Sequence, residues 1–224
     1  SDTLRKIVLG RDMSSDDICR ATIKDFRVYW AKEGPFPVMI PEPNSETHGL
    51  VLRNLSEPDI ERLNYYELGF DYVLAPTTVE THAGQIEVSA YFCNHSDMAR
   101  TKLWSFDDWL SDHSEIQYLA AREFLDFFDT KFGDTAQVMY NSILKRAEVF
   151  VSASSTPTSA LEIGPDMNAN IQVEDLKREY LGFFALNQVD LKYPFFDNST
   201  SGVKSRTILM GSEASLILPY DPIL

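Results

Sequence analysis

Apolar and polar positions change rhythm along this chain, and the changes predict its elements. Residues 21–30 (ATIKDFRVYW) alternate in part and are rich in aromatic and β-branched types, which predicts a strand. PFPVMIP and HGLVLRNL read as two further strands separated by the turn-forming PEPNSET. A marked helix start follows: Ser56 at the N-cap, Pro58 in the first turn and Asp59 completing a capping-box variant. That helix runs to about Glu67, with Gly69 placed as a left-handed terminator. DYVLAPTTVET and GQIEVSAYF predict two strands around a turn at His82–Gly84. DTLRKIVLG, ahead of all these, reads as a short helix already under way.

From Trp104 the period becomes helical. SFDDWL opens on a Ser cap, and Ile116, Leu119, Ala120, Phe124, Phe127 and Phe128 fall on one face of the next segment. That aromatic stripe is read as packing against the β unit. GDTAQVMYNSILKRAEVF predicts another helix. Residues 152–170 are rich in Ser, Thr, Pro and small residues and have little periodicity, the composition of a linker. Beyond them LGFFALNQVDLKYPFF, KSRTILM and EASLILPY predict three strands. The expected organisation is a first domain over 1–147, a linker over 148–170 and a second, shorter piece over 171–224.

Composition changes this picture chiefly through charge. The 224 residues hold 20 Lys and Arg against 34 Asp and Glu, a net charge of −14. So acidic a chain repels phosphate backbones and anionic lipid, which argues against nucleic-acid and membrane-surface partners. No apolar stretch approaches the roughly 18 residues of a membrane span, and the first residues carry no signal-type apolar region, so a cytoplasmic location is expected. Cys19 and Cys93 are far apart and in no CxxC pair, which fits neither a disulfide framework nor a zinc site. The absent initiator Met and the Pro-containing apolar tail suggest a piece of a longer protein.

One residue stands out for chemistry. Glu67 follows Ile60 and Leu63 at helical spacing, on what reads as the inward stripe of the capped helix. Apolar surroundings and the negative end of the helix dipole both disfavour its ionised form, which raises its pKa and suits a proton-transferring group. The alternative is an exposed last-turn Glu on a fraying helix. His48, His82, His95 and His113 have no metal-ligand spacing, and the acidic pair Asp107–Asp108 reads as a helix's first turn. GxSxG, GxxxxGK[ST] and GxGxxG are all absent.

VLGR, FRVYWAKEGPFPVMIPEP and HGLVLRNLSEPDIERLNYYELGFDY together resemble the gamma-glutamylcyclotransferase-like (AIG2-like) family over residues 4–110. The signature runs from GLVL through LSxxDIxRLxxYE and is carried by Leu63, Tyr66, Glu67, Gly69 and Tyr72. The resemblance implies an α+β fold built on a mixed β-barrel with flanking helices. It implies Glu67 as general acid/base, accepting a proton from the substrate's α-amino group as that group attacks the γ-glutamyl carbonyl and releases 5-oxoproline. It also implies Tyr72 as a substrate-binding residue. The family opens with a strand and a YG[ST]-type loop whose backbone amides hold the glutamyl end, and this chain carries no such motif. Asn64 stands where the family commonly has Asp.

KREYLGFFALNQVDLKYPFFDN and VKSRTILMGSEASLILPYDPIL are similar to the N-terminal strands of Nudix ADP-ribose pyrophosphatases. This implies that 171–224 form the antiparallel N-terminal strands of a Nudix domain, cut short before the Nudix box. Phe183 would stack on the base and Arg206 would contact the ligand across a homodimer. The order of the two resemblances matches a bacterial fusion associated with tellurite resistance. The parent protein is then expected to be an ADP-ribose diphosphatase that requires Mg²⁺, while this chain alone carries no cofactor. Its small-molecule substrate would be ADP-ribose or, for the first domain, a γ-glutamyl compound. A non-catalytic module that positions the dimer is the remaining expectation.

Overall fold

The computed structural model describes residues 1–70, 72–94, 99–155, 171–195, 197 and 199–211. The chain divides into two compact units, Ser1–Phe128 and Asp129–Leu224. This division falls ahead of the boundary drawn from sequence at residue 147. Residues 156–170 of the expected linker, His95 and the EASLILPY segment lie outside the described residues.

The first unit is organised around one long strand, β1 (Ile18–Ala31). It pairs along nearly its whole length with β2 (Pro37–Leu52), antiparallel, from Ile18↔Leu52 to Trp30↔Pro37. Sequence reading made β2 two strands and a turn. The structure keeps one strand because PEPNSET is absorbed as a bulge opposite a bulge in β1. Asp25 and Asn44 both take positive φ there (59° and 65°), and the Asn44 N–H donates to the Asp25 carboxylate at 2.8 Å. The extra residue resets the alternation, so Phe26 rejoins the face of Ala21 and Ile23.

The second edge of β1 is shared. Ala21 and Thr22 pair with the end of β3 (Tyr72–Thr81), and Tyr29 and Ala31 pair with β5 (Ala99–Leu103). β3 and β4 (Gly84–Cys93) form a hairpin in register from Tyr72↔Cys93 to Thr81↔Gly84, about the turn expected at His82–Gly84. The sheet order is β2-β1-β3-β4, with β5 on β1. The expected closed barrel is therefore corrected: among the described residues no ladder joins β4 to β2, and the sheet stays open. The split edge of β1 is the reason, since β3 pairs with it over only two residue pairs before diverging. Ala21, Ile23 and Val79 form the apolar centre, with Phe26, Met39, Val51, Ile86, Val88 and Phe92 packed on it.

Helices complete this unit. α1 (Asp2–Leu9) starts on a Ser1 cap and ends at Gly10, whose φ of 70° is the left-handed turn glycine tolerates best. α2 (Glu57–Glu67) has the predicted capping box between Ser56 and Asp59. α3 (Phe106–Asp112) starts on the predicted Ser105 cap, and α4 (Ser114–Leu125) buries Ala120, Ala121, Phe124 and Leu125. α1 packs against both α4 and α2.

In the second unit the single helix predicted from Gly133 is two, α5 (Gly133–Val138) and α6 (Tyr140–Ser155). The strands β6 (Gln172–Leu181), β7 (Ala185–Lys192) and β8 (Lys204–Met210) form an antiparallel sheet in that order. β6 escaped prediction because it is charged at many positions and carries two bulges, which erase its alternation. The architecture is thus α+β with antiparallel sheets.

Candidate functional site

The site is built from the end of α2 and the start of the β3–β4 hairpin. α2 enters this region held by polar contacts more than by apolar ones. Asp59 is buried, and the Arg11 guanidinium grips its carboxylate with two bonds, at 2.9 and 2.6 Å. The same carboxylate accepts from the Ser56 N–H at 2.8 Å. Arg11, with help from Ser56, holds the Asp59 carboxyl well below the usual range despite its burial. One turn on, Arg62 Nε donates to the Val8 carbonyl at 2.7 Å and caps the end of α1. The inward stripe is therefore rotated from the predicted one: Asp59 is buried while Ile60 is 42% exposed. The first turn spends its inward position on its own cap and ion pair.

Further along α2, aromatic packing takes over. Tyr65 stacks on Phe124 of α4 at 4.6 Å between ring centroids, and Tyr66 meets the same ring edge-on. Glu67 closes the helix. Instead of the predicted left-handed glycine stop, the chain passes through a 3₁₀ turn over Leu68–Phe70, with the Leu68 N–H donating to the Asn64 carbonyl. Gly69 is not among the residues of positive φ. The tight turn carries the chain from the helix end toward the start of β3, where Tyr72 stands.

Glu67 is half-buried at its surface but deeply surrounded by protein. No hydrogen bond or ion pair to its carboxyl occurs among the described residues, and burial alone pushes its pKa up to about 7. Tyr72 and Tyr91 flank it. Both phenols are held above their ordinary pKa, first by burial and then by the Glu67 charge; Cys93 adds to the effect at Tyr72. Tyr72 donates to the Pro37 carbonyl at 3.1 Å, and Tyr91 donates to Asn64 Oδ1 at 2.7 Å. Cys93 pairs with Tyr72 in the hairpin register. The arrangement offers a carboxyl poised to give or take a proton near neutrality, beside two phenols that remain protonated there.

Structure thus brings Glu67 and Tyr72 into one place. Tyr91 and Asn64 join them without having been singled out as site residues. The signal for Tyr91 lay in the alternation of GQIEVSAYF, but sequence gives no hint of which strand faces the helix end. Phe183 and Arg206 belong to the second unit and are not brought together there. Phe183 lies in the β6–β7 turn, 62% exposed, with its ring edge-on to Phe184. Arg206 is exposed on β8 opposite Val189, four residues along β7 from Ala185, on the order of 13 Å by strand rise. It donates to the Ser205 carbonyl at 3.0 Å.

A groove of about 400 Å³ in the first unit is lined by Lys6, Gly10, Arg62, Arg122 and neighbours, and Glu67 is not part of it. Among the described residues no three His, Cys, Asp or Glu side chains converge to hold a metal ion. The Mg²⁺ expectation concerned Nudix-box glutamates, which this sequence does not contain. No helix among the described residues is long and apolar enough to cross a membrane.

Comparison with known proteins bears on the first unit. Residues 4–111 match the family described as gamma-glutamyl cyclotransferase, AIG2-like. AIG2-like protein B of Arabidopsis thaliana is 26% identical over 113 residues, 49% of this chain and 65% of that protein. The chain thus spans somewhat under two thirds of that relative's length. Two solution structures of Arabidopsis thaliana proteins are also similar. One gives a TM-score of 0.39 at 19% identity over 70% of this chain and 88% of the other. The second gives 0.40 at 18% identity over 74% and 89%. The family match stops at residue 111, so the Nudix reading of 171–224 rests on sequence resemblance alone. Residues 4–111 are thus similar to the AIG2-like family of the gamma-glutamyl cyclotransferase type.

Proposed function

We propose that the first unit is a gamma-glutamyl cyclotransferase-type enzyme in which Glu67 moves the proton. The observation that carries this reading is the enclosed Glu67 carboxyl, without a hydrogen-bond or ion-pair partner among the described residues and with a pKa of about 7. At neutral pH a large fraction is ionised and can accept a proton from the substrate's α-amino group, which reacts as the neutral amine. That amine attacks the γ-carbonyl carbon, closing the five-membered ring, and its nitrogen passes one proton to Glu67 as the new C–N bond forms. Protonated Glu67 then returns the proton to the departing amine as the γ-amide C–N bond breaks, giving 5-oxoproline. A carboxyl of ordinary pKa would be a much weaker base for the first half of this cycle. Tyr72 supplies a phenolic O–H at the edge of the site.

The test is release of 5-oxoproline from γ-glutamyl amines and γ-glutamyl amino acids by the whole protein and by Glu67→Gln. The expected loss is on the order of 10²–10⁴-fold in turnover. Equal turnover by the two proteins removes Glu67 from the chemistry, and turnover by neither favours a binding or dimer-positioning module.

A second reading, for the second unit, is the ADP-ribose site of a Nudix diphosphatase. Its support is the sequence resemblance and the exposed Phe183 ring in the β6–β7 turn of an antiparallel sheet. Failure of the complete parent protein with Mg²⁺ to release AMP from ADP-ribose rejects it.

A further inference from the structure

Glu67 presents a mechanical problem. It is the last residue of α2, where helices fray, and no donor or cation among the described residues holds its carboxyl. A proton-transferring group nevertheless has to be held within a fraction of an ångström of its working position. The aromatic contacts of Tyr65 and Tyr66 with Phe124 fix α2 to α4, but they leave the orientation of its last turn toward the sheet open.

The bond between Tyr91 and Asn64 supplies the missing constraint. Asn64 lies three residues before Glu67, so the two side chains share a helix face. Its backbone carbonyl already accepts the Leu68 N–H that closes the helix. Its side-chain Oδ1 accepts the Tyr91 hydroxyl at 2.7 Å, a short, well-formed bond. Tyr91 stands on β4 opposite Leu74, inside a ladder that runs unbroken from Tyr72↔Cys93 to Thr81↔Gly84, so the donor is mounted on a regular hairpin. The Tyr91 phenol also lies close enough to Glu67 to feel its charge. We infer that Tyr91 is a positioning residue for Glu67, acting through Asn64 to tie the last turn of α2 to the β3–β4 hairpin and keep the carboxyl in its enclosed position. The titratable groups that feel that carboxyl's charge are Tyr72 from the start of β3 and Tyr91 from β4, both held above their ordinary pKa and so neutral while Glu67 titrates.

This inference deepens the cyclotransferase reading and rests on it for its consequence in turnover, but its direct test does not require activity. The experiment follows the Glu67 carboxyl ¹³C shift against pH in the full chain, in the wild type, Tyr91→Phe, Asn64→Ala and the double variant. The wild-type midpoint is expected at about 7. Each single change should lower it by about one pH unit, as the loosened turn lets the carboxyl reach water. The double change should add little, since both remove the same tie. Asn64→Ala keeps the test open should Tyr91→Phe fold poorly. A midpoint unmoved in a folded single variant, or two single effects that simply add, overturns the inference. In parallel, 5-oxoproline release by Tyr91→Phe should show kcat lowered about tenfold with KM nearly unchanged. Absence of turnover in the wild type rejects the cyclotransferase reading, and full turnover by Glu67→Gln removes Glu67 from its chemistry, while the carboxyl titration still decides where Tyr91 acts.

Discussion

At the scale of single residues, the position of Glu67 has a cost that pH exposes. Its folded pKa of about 7 lies above the ordinary 4.5 of an unfolded chain. The native state therefore binds more protons than the unfolded state between those values, and stability falls as pH rises through that window. Above it the loss amounts to about 3 kcal/mol. Glu67→Gln should remove this slope, making the protein more stable than wild type at pH 8 and little different at pH 4, as read by denaturant unfolding at the two pH values. A variant that loses stability at pH 8 contradicts the burial. Asn64 offers a second check, because a carboxylate there would face Glu67 one helical turn away. Asn64→Asp should raise the Glu67 midpoint further by like-charge repulsion and shift the acid limb of any turnover profile upward by about half a unit or more.

At the scale of elements, α2 is held at its two ends by different means. Its start depends on Asp59, which serves as the capping-box residue and as the partner of Arg11. Asp59→Ala should cost about 2 kcal/mol, the sum of a lost cap and a half-exposed ion pair, whereas Ser56→Ala should cost about 1. The sign with pH is opposite to that of Glu67. Asp59 has a depressed folded pKa, so its contribution is present above the ordinary carboxylate range and is lost as pH falls below about 4. Denaturation profiles of wild type and Asp59→Ala should converge in acid. Much of this element was legible in sequence: the cap, the proline, the length and Glu67 at its end follow from local chemistry. Its rotation did not, because the partner that draws Asp59 inward is Arg11, distant in sequence. The same limit applies to β2, where PEPNSET has every property of a turn and only the facing bulge at Asp25 keeps it in the sheet. Tyr91 shows it again, since alternation assigns it to a face without naming the helix it meets.

At the scale of the whole molecule, the family match and the physical domain end in different places. The match stops at residue 111, one residue short of the end of α3, and excludes α4. Yet α4 contributes Ala120, Ala121, Phe124 and Leu125 to the core, and the fully buried Phe124 is the ring on which Tyr65, Tyr66 and Phe70 converge. Truncating one such aromatic to Ala costs about 3–5 kcal/mol, and removing the whole helix exposes its partners on α2 as well. Set against a net stability of roughly 5–15 kcal/mol, a fragment of residues 1–111 should not fold cooperatively. A fragment of 1–128 keeps α4 and corresponds to the first compact unit. It is expected to unfold in a single transition and to show the Glu67 carboxyl titrating near 7, as in the full chain. Circular dichroism with denaturant and the carboxyl titration decide between the two. If 1–111 folds and keeps that midpoint, α4 is dispensable and the anchoring of α2 must come from the hairpin side alone. That result would make the Tyr91–Asn64 bond carry the site's whole geometry.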